Sequence, residues 1–169
     1  MKLLLSALVA SICLMICPAC ERGGDQSAPL ASEQKDQVVA GMAAFKEGRL
    51  DKAIEHYQLA LKDKPRSAVV YNLLGMAYRF SYNKKPSPEL KDKEIAAFEK
   101  SIEIDPKFAV ALVNLGSTHY YMGDKVKAAE QFKQTLKIMP NHPQAAELKK
   151  MIAEADKIKP EADTKDKTE

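Results

Sequence analysis

The sequence predicts an all-α fold of helix pairs stacked side by side and closed by one further helix. Three observations predict it. Gly41, Gly75 and Gly116 recur ahead of Pro65, Pro106 and Pro140, and the first and third intervals are both 24 residues, whereas the middle one is 31. An aromatic residue follows each glycine, Tyr57 and Phe132 after 16 residues and Phe98 after 23. Glycine is scarce (7 of 169 residues) and tryptophan absent, a composition that suits helices better than a β-sandwich. The periodicity places units at 34–67, 68–108 and 109–142. One unit cannot bury its own apolar face, so its neighbours must cover it.

The third unit, Ala109–His142, is the most regular. With Ala109 as position one, Leu112, Leu115, Gly116, Gly123, Ala128, Phe132 and Pro140 fall at positions 4, 7, 8, 15, 20, 24 and 32. Gly116 lets a second helix approach the first, and Gly123-Asp124 breaks the chain between them. Ala128 and Phe132, four apart, share one face of that second helix. Pro140 ends the unit, because proline cannot continue a helix interior. This pattern resembles the tetratricopeptide repeat, a helix–turn–helix unit of about 34 residues. The resemblance implies a right-handed α-solenoid of three helix pairs plus a C-terminal end helix, spanning 32–158.

In chain order, residues 1–20 read as an export signal: Lys2 supplies the positive start, and Leu3–Cys20 carries no charge. Cys20 follows Ala19 at the end of the apolar run, just before Glu21-Arg22. This resembles a bacterial lipoprotein signal, which implies lipidation of Cys20, although Cys17 and Pro18 stand where such signals usually carry aliphatic or small residues. An uncleaved anchor and ordinary secretion are the alternatives, since the run is long enough to span a bilayer. Residues 21–31 read as a flexible tether. Helices are then expected over 33–47, 51–62, 68–82, 88–104 and a closing stretch, 143–158. Ser67 is a cap for the third of these, and Ser87-Pro88-Glu89 has the order N-cap, N1 proline, early acid. Seven extra residues separate Gly75 from Phe98, assigned as an insertion at 83–92. With the fourth helix starting at Pro88, much of the insertion reads as extra helical turns on a helix ending near Ile104. A longer solvated turn is the bland reading of the rest, with a projecting lip for a partner as the functional alternative. Ile95, Phe98 and Ile102 are the expected core stripe of the fourth helix, where Glu94 and Ser101 replace alanines usual in the family. On the closing helix Ala146, Leu148, Met151, Ile152 and Ala155 are expected to face inward. Residues 159–169 carry no large apolar side chain and read as disordered.

Composition narrows the function. The formal charge is only +3 and no basic stripe concentrates it, which argues against nucleic acid. Cys13, Cys17 and Cys20 are the only cysteines, so the repeats contain no disulfide, thiol nucleophile or cysteine metal site. His56, His119 and His142 come from different layers, and no G-x-S-x-G, phosphate loop or H-E-x-x-H is present. No catalytic residue, metal, cofactor or small-molecule substrate is therefore expected.

Ligands of this family usually lie along the first helices, at positions 2, 5, 6, 9, 12 and 13. Carried over, these give Val38, Met42 and Phe45; Asn72, Met76 and Arg79; and Val113, Asn114, Ser117, Tyr120 and Tyr121. Methionine and tyrosine suit an adaptable, partly apolar peptide site. The carboxylate clamp of some relatives needs Lys and Arg where Val38, Leu73 and Val110 stand, which excludes a cytosolic co-chaperone. The resemblance implies a non-enzymatic adaptor that holds a protein or peptide, as in assembly of an envelope complex. It would be lipid-anchored in a bacterial envelope, at the outer membrane facing the periplasm, with secretion or inner-membrane anchoring as alternatives. An accessory subunit of an envelope enzyme and a self-associating array are the rival functions.

Overall fold

The computed structural model describes residues 32–158. The expectations for the signal, Cys20, the tether and the C-terminal tail fall outside these residues. Within them the chain forms seven α-helices and no strand: α1 (Ser32–Lys46), α2 (Leu50–Asp63), α3 (Ala68–Lys84), α4 (Pro88–Ile104), α5 (Ala109–Tyr121), α6 (Lys125–Ile138) and α7 (Ala145–Ile158). Each helix packs on the next in sequence, so three antiparallel pairs stack in chain order and α7 closes the row on α6. This is an all-α tetratricopeptide-repeat solenoid.

Within each pair, one glycine meets one ring. A Cβ on Gly41 would lie 2.5 Å from Tyr57, on Gly75 2.6 Å from Phe98, and on Gly116 2.5 Å from Phe132. The rings are essentially fully buried. Two pairs turn through a glycine in the left-handed region, Gly48 (φ 72°) and Gly123 (φ 88°), where a side chain would be strained. The α3–α4 pair turns differently, through Lys85-Pro86-Ser87. Ser87 Oγ accepts from Leu90 N at 3.2 Å, with Pro88 at the first helical position, and Ser67 Oγ accepts from Val70 N at 3.4 Å.

The extra residues of the middle unit do not form a loop. α3 is four residues longer than α5 (17 against 13), and α4 three longer than α6 (17 against 14). The connecting turns, 85–87 and 122–124, are the same length. The insertion is thus about one added turn on each helix, since a turn takes about 3.6 residues. Phe98 therefore still reaches Gly75, and the hairpin projects beyond its neighbours.

Two core expectations need correction. On α4 the fully buried stripe is Glu94, Ala97, Phe98, Ser101 and Ile104, whereas Ile95 and Ile102 are only half-buried. The polar members are tolerated because each is bonded: Ser101 Oγ donates to the Ala68 carbonyl at 2.7 Å, and Glu94 has three donors. On α7 Ala146 is exposed; Leu148 and Ala155 are buried, with Met151 and Ile152 packed beside them against Phe132. α7 begins at Ala145, two residues after Pro143, because Pro143-Gln144 complete the turn in which Gln144 N donates to His142 Nδ1.

Candidate partner-binding face

The first helices of the three pairs, α1, α3 and α5, lie side by side and form one layer. Side chains tie them together. Phe45 of α1 meets Phe80 of α3 edge-to-face, with ring centroids 5.0 Å apart. Asn114 of α5 donates to Asn72 of α3 at 2.9 Å. Tyr120 of α5 donates to Glu154 of α7 at 2.8 Å, continuing the row.

These ties sort the residues expected to line the groove. Those at positions 5 and 12 turn sideways between helices. Val38 and Asn72 are buried, and Val113 packs in the cluster around Phe132 and Leu148. At position 12, Phe45 is partly buried, Tyr120 is held by Glu154, and Arg79 is committed inside the protein. Positions 2, 6, 9 and 13 point away from the stack instead, except Leu73 at position 6 of repeat two, which packs against the core. Met42 and Tyr121 are open there, Tyr121 at 84% exposure, while Met76, Asn114 and Ser117 are half-exposed. Val39, Val69, Phe80 and Val110 share this open face and are all exposed, yet they were not among the residues expected to bind. Val39 and Phe80 stand at positions 6 and 13, and Val69 and Val110 at position 2. These belong to the family's set but were not carried over there, and a 100° rotation per residue separates the sideways from the outward direction.

The open face is thus a run of Val, Met, Phe and Tyr crossing three helices. Exposed apolar residues arranged together in this way mark interaction surfaces more often than scattered ones do. The exposed cations on it, Lys35 and Lys46, lie at the two ends of α1.

Arg79 makes the main polar structure beside this face. Its Nε donates to Glu94 Oε1 at 2.8 Å, and its two terminal nitrogens reach Asn114 Oδ1 at 3.3 Å, the Asn114 carbonyl at 2.6 Å and Thr118 Oγ1 at 2.6 Å. Its guanidinium also lies 4.9 Å from the Phe98 ring centroid. Glu94 has no exposed surface and also accepts from Lys91 at 2.6 Å and Thr118 at 2.6 Å. Burial alone would raise its carboxyl pKa; the bonds from Lys91, Thr118 and Arg79 outweigh that and hold it below the ordinary carboxylate value. The group locks repeat two to repeat three. A glutamate at a family alanine position was the sequence signal for it.

The histidines do not converge. His56 Nδ1 pairs with Gln37 at 2.8 Å, His142 accepts from Gln144 N, and His119 is buried in α5. Among the described residues, no group of three or more His, Cys, Asp or Glu could hold a metal ion. Tyr120 has its hydroxyl pKa raised, first by its bond to Glu154, whose own carboxyl is lowered by Tyr120 and Lys125. Both contacts serve packing of α7.

Comparison with known proteins agrees with this architecture. Residues 41–79 match a family model described as TPR repeat, and residues 109–142 one described as Tetratricopeptide repeat. The first match ends inside α3, before its added turn. Among curated relatives, the chain is 32% identical over 114 residues to the Hsp70-Hsp90 organizing protein of Triticum aestivum, covering 67% of this chain but 18% of that one. It is 26% identical over 120 residues to the Photosystem I assembly protein Ycf3 of Rippkaea orientalis, covering 60% of this chain and 65% of that one. The chain therefore spans only a fraction of the first of these and just under two thirds of the second. Among solved structures, the TPR2B domain of yeast Sti1 in complex with an Hsp70 peptide superposes with a TM-score of 0.64 at 18% identity, over 76% of this chain and 99% of that one. The Sgt2 TPR domain of Aspergillus fumigatus gives 0.63 at 24% identity, over 86% and 97%.

Proposed function

We propose that this protein is a non-enzymatic adaptor that holds an apolar segment of a partner protein, an extended peptide or the apolar side of a helix, across its first-helix face. The observation that carries this reading is the continuity of Val39, Met42, Val69, Phe80, Val110 and Tyr121 as exposed side chains on three adjacent helices. Several structural neighbours were solved with chaperone peptides bound, which supports peptide capture as what this architecture does. The chemistry here differs from an acidic-tail site. Position 2 carries valine in repeats two and three, and Arg79 is occupied by Glu94. Complementarity thus favours an apolar ligand over a chaperone C-terminus.

The test is capture of the partner by the full chain in its native cell, using crosslinking through a photoreactive group at Tyr121. Tyr121→Ala and Met42→Ala should each weaken capture, and a buried aromatic anchor typically accounts for 2 kcal/mol or more in a complex, about thirtyfold in affinity. Helicity should stay unchanged, because both side chains are exposed. Undiminished capture by both variants would exclude this face.

The adaptor would work from a bacterial membrane, through acyl chains on Cys20, in a protein complex of the envelope. What supports this is the uncharged run ending at Cys20 followed by a polar tether. Two or more chains would give stable anchoring, where one would be marginal. Cys20→Ser should release the protein from membranes and change its gel mobility; a variant that fractionates with membranes at unchanged mobility would favour an uncleaved anchor.

A further inference from the structure

Because the α3–α4 hairpin is a turn longer than its neighbours, it overhangs the α1–α2 turn and borders an open cleft of about 560 Å³. This cleft lies at the turn end of the first two helix pairs, none of its lining residues is among those of the apolar face, and nothing in the adaptor reading uses it. Its apolar part is made by Leu50 and Leu90. Ser81 lines it, 9% exposed, with a hydroxyl that is buried and has no hydrogen-bond partner. Buried polar atoms are rarely left in this state unless something binds them. The N-terminus of α2, a 14-residue helix, opens onto the same cleft, and Arg49 at its N-cap position supplies no side-chain cap. Uncapped first-turn N–H groups and the positive end of the helix dipole both favour an anion.

The surrounding charge has the same sign. Lys84 Nζ donates to the Gly48 carbonyl at 3.0 Å, a neutral acceptor that leaves its charge uncompensated. The Lys85 ammonium has no partner among the described residues, while Arg49 is paired with Glu47 and Lys52 with Glu55. Against these stands Asp51, the only carboxylate that lines the cleft. Lys84 ends the extra turn of α3 and Lys85 is the residue that follows it, so cleft and charge come from the same insertion.

We propose that this cleft binds an acidic segment of a protein partner. One Asp or Glu carboxylate would accept from the Ser81 hydroxyl and the α2 N-terminus beside Lys84 and Lys85, and an adjacent apolar side chain would rest on Leu50 and Leu90. The geometry selects a carboxylate next to a leucine-like residue, which is a different ligand chemistry from that of the apolar face.

The probe is a fluorescein-labelled peptide of sequence Leu-Glu-Leu-Glu-Leu, with blocked ends, titrated into the full chain by anisotropy. The glutamine counterpart should bind at least about tenfold more weakly, and affinity for the glutamate peptide should fall as salt rises. Lys84→Gln with Lys85→Glu should weaken binding about tenfold or more, and Ser81→Ala, which keeps the packing, several-fold. Tyr121→Ala should leave this binding unchanged, which separates the cleft from the apolar face. Equal binding of the two peptides overturns the proposal, as does full binding by the double lysine variant with native circular dichroism. Binding of inorganic phosphate with none of the glutamate peptide would also overturn it, by assigning the site to a phosphate group.

Discussion

At the scale of single residues, the fold depends on three glycines that are spaces rather than hinges. Gly116 is helical and buried, and its lack of a Cβ is what admits the edge of Phe132. Valine there must displace a ring that is itself fully enclosed, so Gly116→Val should cost about 3 kcal/mol. Phe132→Ala, which empties the same site from the other side, should cost about 3–5 kcal/mol. The two positions must be coupled: Gly116→Ala should be much less harmful beside Phe132→Leu than alone. Denaturant titration of the four proteins of that cycle checks it, and additivity within about 0.5 kcal/mol would show that the contact is not limiting. These pairs were legible in the sequence because they occur three times, and a repeat reports its own spacing. Glu94 was only half legible. A glutamate among alanine positions flags an anomaly, but its partners Arg79 and Thr118 are 15 and 24 residues away, and no local pattern brings them together.

At the scale of elements, the extended hairpin shows how an insertion can be accommodated without disturbing a packed pair. The sequence located the added residues near 83–92 and, through the start at Pro88, gave much of them to the fourth helix as extra turns; the share that lengthens α3 was not legible. Ser87-Pro88 gave the start of α4, whereas the end of α3 had no comparable stop and runs two residues beyond its expected limit at 82. Replacing residues 81–90 with Met-Gly-Asp, the sequence at 122–124, would restore the length of the other pairs. That protein should fold with Phe98 still on Gly75 and should lose the cleft around Ser81. Far-UV helicity should drop only by the two lost turns. Collapse of helicity throughout would mean that the overhang is required by the neighbouring repeats.

At the scale of the whole molecule, the repeats are joined by unlike chemistry. Repeats one and two meet through the Phe45–Phe80 rings, a bond from Gln58 to Tyr78 and the Lys84 strap; repeats two and three meet through the Arg79–Glu94 network. This arrangement explains why the binding face was read only in part. A helix pattern gives the buried and open sides of one helix, but which residues turn toward the next first helix depends on where that helix sits. Positions 5 and 12 were lost to that contact. It also fixes the response to acid. The Glu94 carboxyl is held below its ordinary value of 4.5 in the folded protein, so near and below that value the unfolded chain binds the proton more readily. The stability Glu94 contributes is present at neutral pH and is lost as pH falls through the folded pKa. Glu94→Gln should therefore lower stability at pH 7, by about 1.5–3 kcal/mol for hydrogen bonds to a charge. The gap should narrow in acid, measured by urea unfolding at pH 7 and pH 3; a gap independent of pH would show that the charge is not what matters. The two seams consequently answer to different solvents. Acid loosens the joint between repeats two and three, whereas cooling weakens apolar contact and so bears on the ring-to-ring joint between repeats one and two. Where the row of helices first parts is then decided by the medium around it as much as by the chain.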